Sequence, residues 1–83
     1  MFVARQVYLL LIKLYSDLTR LETVLMRNDI VDERIILSIV KRLKLLNKYR
    51  ANSLPLLLDS VQLDFFLVDP KEIIKNKKAI MEF

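Results

Sequence analysis

Glycine, cysteine, histidine and tryptophan are all missing from this 83-residue chain, and proline occurs only twice. Each absence removes a class of chemistry. Without glycine there is no phosphate-cradling loop and no dinucleotide fingerprint, and tight hairpins lose the residue that takes positive φ freely. Without cysteine there is neither a disulfide framework nor a thiolate ligand. Without histidine, structural zinc and the Glu-x-x-His pattern of di-iron bundles go as well. Ser16, Ser38, Ser53 and Ser60 therefore lack the usual base and have no motif around them. Long hydrophobic runs are missing too. Near the N-terminus the longest is Val7–Ile12, closed by Lys13 and Asp17, which is too short for a signal peptide core or a membrane span.

What is present is an apolar excess. Hydrophobic residues make up 54% of the chain, against about 45–50% in an ordinary globular protein. The length allows one domain, residues 1–83. So small a domain buries only roughly 60–65% of its unfolded surface. A rich core, or burial against a partner, has to make up the difference.

The stretch Ala4 to Leu25 organises the chain. Ala4, Val7, Leu11, Leu14, Leu18, Leu21 and Leu25 alternate spacings of three and four, which lays one apolar seam along a helix. Tyr8, Ile12 and Tyr15 add a second stripe beside it. Around residues 7–12 the helix is apolar on nearly every side, so it is read as surrounded by neighbours, with Tyr8, Leu9, Leu10 and Ile12 as the alternative face for another protein. Arg27-Asn28-Asp29 is the expected turn, with Asn28 as the left-handed cap and Asp29 capping the next helix, Asp32 at its third position. A single uninterrupted helix is the competing reading. It is disfavoured because the seam, continued, would run through Asn28, Asp32 and Arg42.

A second helix from Ile30 to Arg50 buries Ile35, Ile36, Ile39, Val40, Leu43, Leu46 and Tyr49. After it, Asn52, Ser53 and Pro55 break the pattern, with Ser53 as a cap. Leu54, Leu57, Leu58, Val61, Phe65 and Val68 then keep helical spacing, while Val61, Leu63, Phe65 and Leu67 would suit a strand. Helix is preferred, since a lone strand has nothing to pair with. Asp69-Pro70-Lys71-Glu72 is a capping box, followed by a helix from about Pro70 to Met81 with Ile73, Ile74, Lys77, Ile80 and Met81 inward. The fold class is all-α: a small helical bundle with a long antiparallel helical hairpin, at about 3–26 and 30–50, and two shorter helices at about 54–67 and 70–82.

Carboxylates give little catalytic promise. Asp29, Asp32 and Glu33 could approach Mg²⁺ but are explained by capping and the helix dipole. Asp59, Asp64 and Asp69 recur every five residues, a spacing that aligns no helical face. The chain is read as no enzyme, with no cofactor and no metal. Net charge is +4, and Arg34, Lys41, Arg42, Lys44, Lys48 and Arg50 concentrate it on the second helix. Lys71, Lys75, Lys77 and Lys78 could extend that patch. Such a stripe could contact phosphates, but only Tyr49 interleaves with it and no base-reading set opens a helix. Lys13, Arg20, Arg27, Arg34, Lys41 and Lys48 recur every seven residues, read as a solvated flank and not a repeat.

The apolar surplus points to a non-catalytic accessory subunit that docks on a larger protein or self-associates, in the cytoplasm, of the kind found in replication or transcription machinery. Tyr8, Leu9, Leu10, Ile12, Phe65 and Phe66 are its candidate contact residues, with Leu37 and Leu45 further apolar residues on the polar side of the second helix. The alternative is a small basic DNA- or RNA-binding domain of helix-turn-helix type.

Overall fold

The computed structural model describes residues 2–50 and 60–81, and the side chains of residues 5–49 and 61–81. Five helices lie in this part: α1 (Phe2–Met26), α2 (Glu33–Arg50), α3 (Ser60–Val68), α4 (Lys71–Lys75) and α5 (Lys77–Met81). No strand occurs among the described residues, so residues 60–68 are helical. α1 packs on α2, α2 on α3, α3 on α4, and α4 returns to α1, which closes a ring around one core. The expectations for Ala4, the 51–59 connection (Asn52, Ser53, Leu54, Pro55, Leu57, Leu58) and the side chain of Arg50 lie outside the described residues.

α1 contains no Gly or Pro and is rich in leucine, so nothing interrupts about 38 Å of helix. Its β-branched Thr19 and Thr23 sit on the exposed side, each hydroxyl donating to the carbonyl four residues back. Leu14, Leu18 and Leu21 are fully buried, and Val7, Leu11 and Leu25 pack against the same core. The expected seam is therefore the one used, and its mate is internal.

The helix ends in a Schellman motif. Asp29 N–H donates to Val24 C=O and Asn28 N–H to Leu25 C=O, with Asn28 at φ 55. Asparagine takes the left-handed position in a chain with no glycine to offer. This geometry shifts the next helix. Asp29 closes α1 with its backbone N–H, and residues 29–32 stay outside any helix, so Asp29 is too far from the start of α2 to cap it and Ile30 is almost fully exposed. Asp32 caps instead, accepting from Arg34 N–H at 2.9 Å. Val31, just before the cap, packs against the core to which Ile36 belongs, the placement of a hydrophobic staple.

On α2, Ile36, Ile39, Val40, Leu43 and Leu46 are buried and Ile35 is partly so. Each such side chain contributes about 1.5–3 kcal/mol by leaving water. Tyr49, expected inside, lies at the edge, where its hydroxyl donates to Gln6 Oε1 at 2.7 Å. α3 turns a different face inward from the one its spacing indicated. Leu63 and Phe66 are buried, while Val61, Phe65 and Val68 are exposed. The helix is apolar on most sides, so periodicity had no polar face from which to choose.

At Asp69 half of the expected box forms. Asp69 Oδ1 accepts from Lys71 N–H at 3.2 Å, and Pro70 already has helical dihedrals, φ −59 and ψ −24. Glu72 does not reach back, because Asp69 N–H already donates to Phe65 C=O at the end of α3, and Glu72 Oε1 takes Lys75 Nζ instead. The expected final helix is interrupted at Asn76, whose side chain donates to Glu72 C=O at 2.8 Å. The result is two five-residue helices that bury Ile73 and Ile80, with Met81 left half exposed.

Candidate interaction face

α2 is the middle of one broad face, with α1 on one side and α3 on the other. Between α1 and α2, shallow cavities are lined by Leu9, Leu10 and Lys13 from α1 and by Leu37, Lys41 and Leu45 from α2. Between α2 and α3, further cavities add Lys44, Lys48 and Leu67. Leu37 and Leu45 line the cavities on both sides of α2. Leu9 is 48% exposed, Leu37 54% and Leu67 42%, which is large for leucine beside partly buried Leu10 and Leu45.

The candidate residues of α1 separate onto two flanks. Leu9 and Leu10 belong to this face. Tyr8 and Ile12 stand about two turns and one turn before Tyr15, whose hydroxyl donates to Met81 C=O at 3.2 Å, so they lie toward α5. Both are exposed. Residues 8–12 thus have neighbours on the core side and solvent elsewhere, and are not enclosed. Phe65 is half exposed. Phe66 is 2% exposed and fills the core, so it offers nothing to a partner.

The basic residues of α2 are also unlike one another. Arg42 donates to Asp17 Oδ2 and to Ser38 Oγ, and Ser38 Oγ donates to the same carboxylate oxygen at 2.9 Å. This triad ties α1 to α2 with Arg42 23% and Asp17 14% exposed. Arg34 grips Asp32 with Nε and Nη2, at 3.0 to 3.2 Å. That hydrogen bond, then the Arg34 backbone N–H, holds the Asp32 carboxyl below the usual carboxylate range, and the pairing raises Arg34 in turn. Lys44 reaches Asp64 at 3.4 Å, both exposed. Lys75 pairs with Glu72 and Lys77 with Glu22, each at 3.1 Å.

Lys13, Lys41 and Lys48 make no ion pair among the described residues. Lys13 is not among the candidates that the sequence names. Its signal was the period of seven it shares with Lys41 and Lys48. The antiparallel turn lays the flank of α2 alongside the flank of α1, so Lys13, Arg34 and Lys41 line one cavity. No three carboxylates converge as a metal site among the described residues, and no helix there is long and apolar enough to cross a membrane. Comparison with protein-family models, with curated proteins and with solved structures gives no match to this chain.

Proposed function

We propose that this protein is a non-catalytic interaction subunit that docks on a larger protein through the face made by α1, α2 and α3. The observation that carries the reading is the exposure of Leu9, Leu37 and Leu67 around partly buried Leu10 and Leu45. A small domain that leaves this much leucine in contact with water gains by covering it, at about 25 cal/mol per Å² of apolar surface. The basic residues suit a place near nucleic acid, in a cytoplasmic replication or transcription assembly. Direct nucleic-acid binding is less well supported. Arg34 and Arg42, whose planar forks best match phosphate, are engaged with carboxylates of their own chain.

The test is photo-cross-linking in the cells that make the protein. A photoreactive residue replaces Leu9 or Leu37, and Lys78 serves as the control position. The expected result is one protein adduct from positions 9 and 37 and none from position 78. No protein adduct, or adducts to DNA or RNA alone, would overturn the reading.

A further inference from the structure

Resting on that docking reading, we infer that the occupant of the α1/α2/α3 face is an acidic amphipathic helix of the partner protein. Three features of the face select it.

The first is charge. Among the described residues, Lys13, Lys41 and Lys48 make no ion pair around the leucines, and the described lining of the cavities they border includes no carboxylate. An occupant whose own apolar stripe is flanked by Asp or Glu meets each ammonium with an opposite charge at the edge of an apolar contact. There the low local dielectric strengthens the attraction. A second copy of this chain would bring the same three lysines against themselves across a two-fold contact, so the charge pattern opposes self-association here.

The second is backbone chemistry. The face is built from helices whose backbone groups are bonded within the helix, and no strand edge occurs among the described residues. An extended peptide would find no ladder to join, which leaves side-chain recognition of a helix as the fitting mode.

The third is shape. Leu37, Lys41, Leu45 and Lys48 follow one line along α2 with a groove on either side, over about 17 Å. An occupant of about three turns, apolar at i, i+3, i+4 and i+7, covers that length. Its leucine-like residues would contact Leu9 and Leu37, and its acids would contact Lys41 and Lys48.

The experiment uses the full chain and designed peptides of about 14 residues, read by fluorescence anisotropy. One peptide carries leucines at i, i+3, i+4 and i+7 with flanking glutamates. A second keeps the leucines and has lysine for every glutamate. A third keeps the glutamates and has serine for every leucine. A short DNA duplex is the fourth probe. The glutamate-leucine peptide should bind at least about tenfold more tightly than any other probe. Protein carrying Lys41→Glu and Lys48→Glu should keep its helicity, since both side chains are exposed, and should prefer the lysine peptide. Equal binding of the first two peptides overturns the inference, because charge then plays no part. Equal or tighter binding of the serine peptide or of DNA overturns it in favour of a plain polyanion site. No binding by the glutamate-leucine peptide also overturns it. If the cross-linked adduct at Leu37 still forms in that case, the docking reading stands and only the nature of the occupant is wrong.

Discussion

Leu37 and Leu46 are nine residues apart on one helix and have opposite surroundings. Nine residues at about 100° each place them on opposite sides. Leu46 is 1% exposed in the core, and Leu37 is 54% exposed among lysines. The inner side of α2 carries Ile36, Ile39, Leu43 and Leu46, and its outer side carries Leu37, Lys41, Leu45 and Lys48. The difference shows that residue type does not decide burial in this chain. α1 and α3 leave the outer side of α2 open, so its leucines remain available.

The comparison is broken most directly by truncating both leucines. Leu46→Ala should lower unfolding free energy by about 2–5 kcal/mol, because it leaves a cavity that a close-packed core fills only in part. Leu37→Ala should change it by no more than about 0.5 kcal/mol, as an exposed site does. Urea unfolding followed by circular dichroism measures both. A large loss at Leu37 would place it in the core and end the docking reading.

Much of this division was legible in the residues themselves. The spacing of Leu14, Leu18 and Leu21, and of Ile36, Ile39, Leu43 and Leu46, marks the hairpin core because each set keeps helical spacing on one side, while the charged residues of both helices gather on the other sides. The left-handed cap at Asn28 was legible because the chain has no glycine to compete for it. Three features could not be read. α3 has apolar residues all round, so neither Phe65 nor Phe66 announces which one turns inward. Two aspartates stand near the start of α2, and Asp32 is the cap because the chain stays outside any helix after the Schellman turn and enters α2 only at Glu33. The side-chain bond that interrupts the last helix at Asn76 competes with the backbone in a way spacing does not record. The candidate face was legible in part. Leu9, Leu37 and Leu45 stand out as surplus, but Lys13 joins Lys41 only when the turn has folded the hairpin.

A smaller effect sharpens the border between the two sides, where Asp17, Ser38 and Arg42 meet. Asp17→Ala leaves the Arg42 guanidinium partly buried without its carboxylate. The expected cost is about 1–3 kcal/mol, below that of a wholly buried pair because Arg42 keeps some contact with water. Replacing both residues, as Asp17→Leu with Arg42→Met, should recover most of that loss, since the penalty belongs to the stranded charge and not to the missing pair. If the double variant is as unstable as Asp17→Ala, the triad contributes through its hydrogen bonds themselves. Asp17→Ala should also free a cation at the edge of the face and tighten binding of the glutamate-leucine peptide.

The smallest effect concerns Arg34, which lines the outer side of α2 yet is held by Asp32 at the helix start. The Asp32 carboxyl is depressed in the folded chain, chiefly by the Arg34 side chain. A depressed carboxylate adds stability above its unfolded pKa, and that contribution is lost as pH falls through the folded value. The advantage of the natural protein over Arg34→Ala should therefore be constant from neutral to mildly acidic pH and shrink at more acid pH. Nuclear magnetic resonance of the Asp32 carboxyl should show its titration moving up in Arg34→Ala. The same variant separates committed from free cations. Arg34→Ala removes a charge already neutralised by its neighbour, so it should leave binding of the glutamate-leucine peptide almost unchanged, whereas Lys41→Ala should weaken it. Equal losses for the two would mean that Asp32 does not hold Arg34 in solution, and that the free positive charge of the outer side extends to the start of α2.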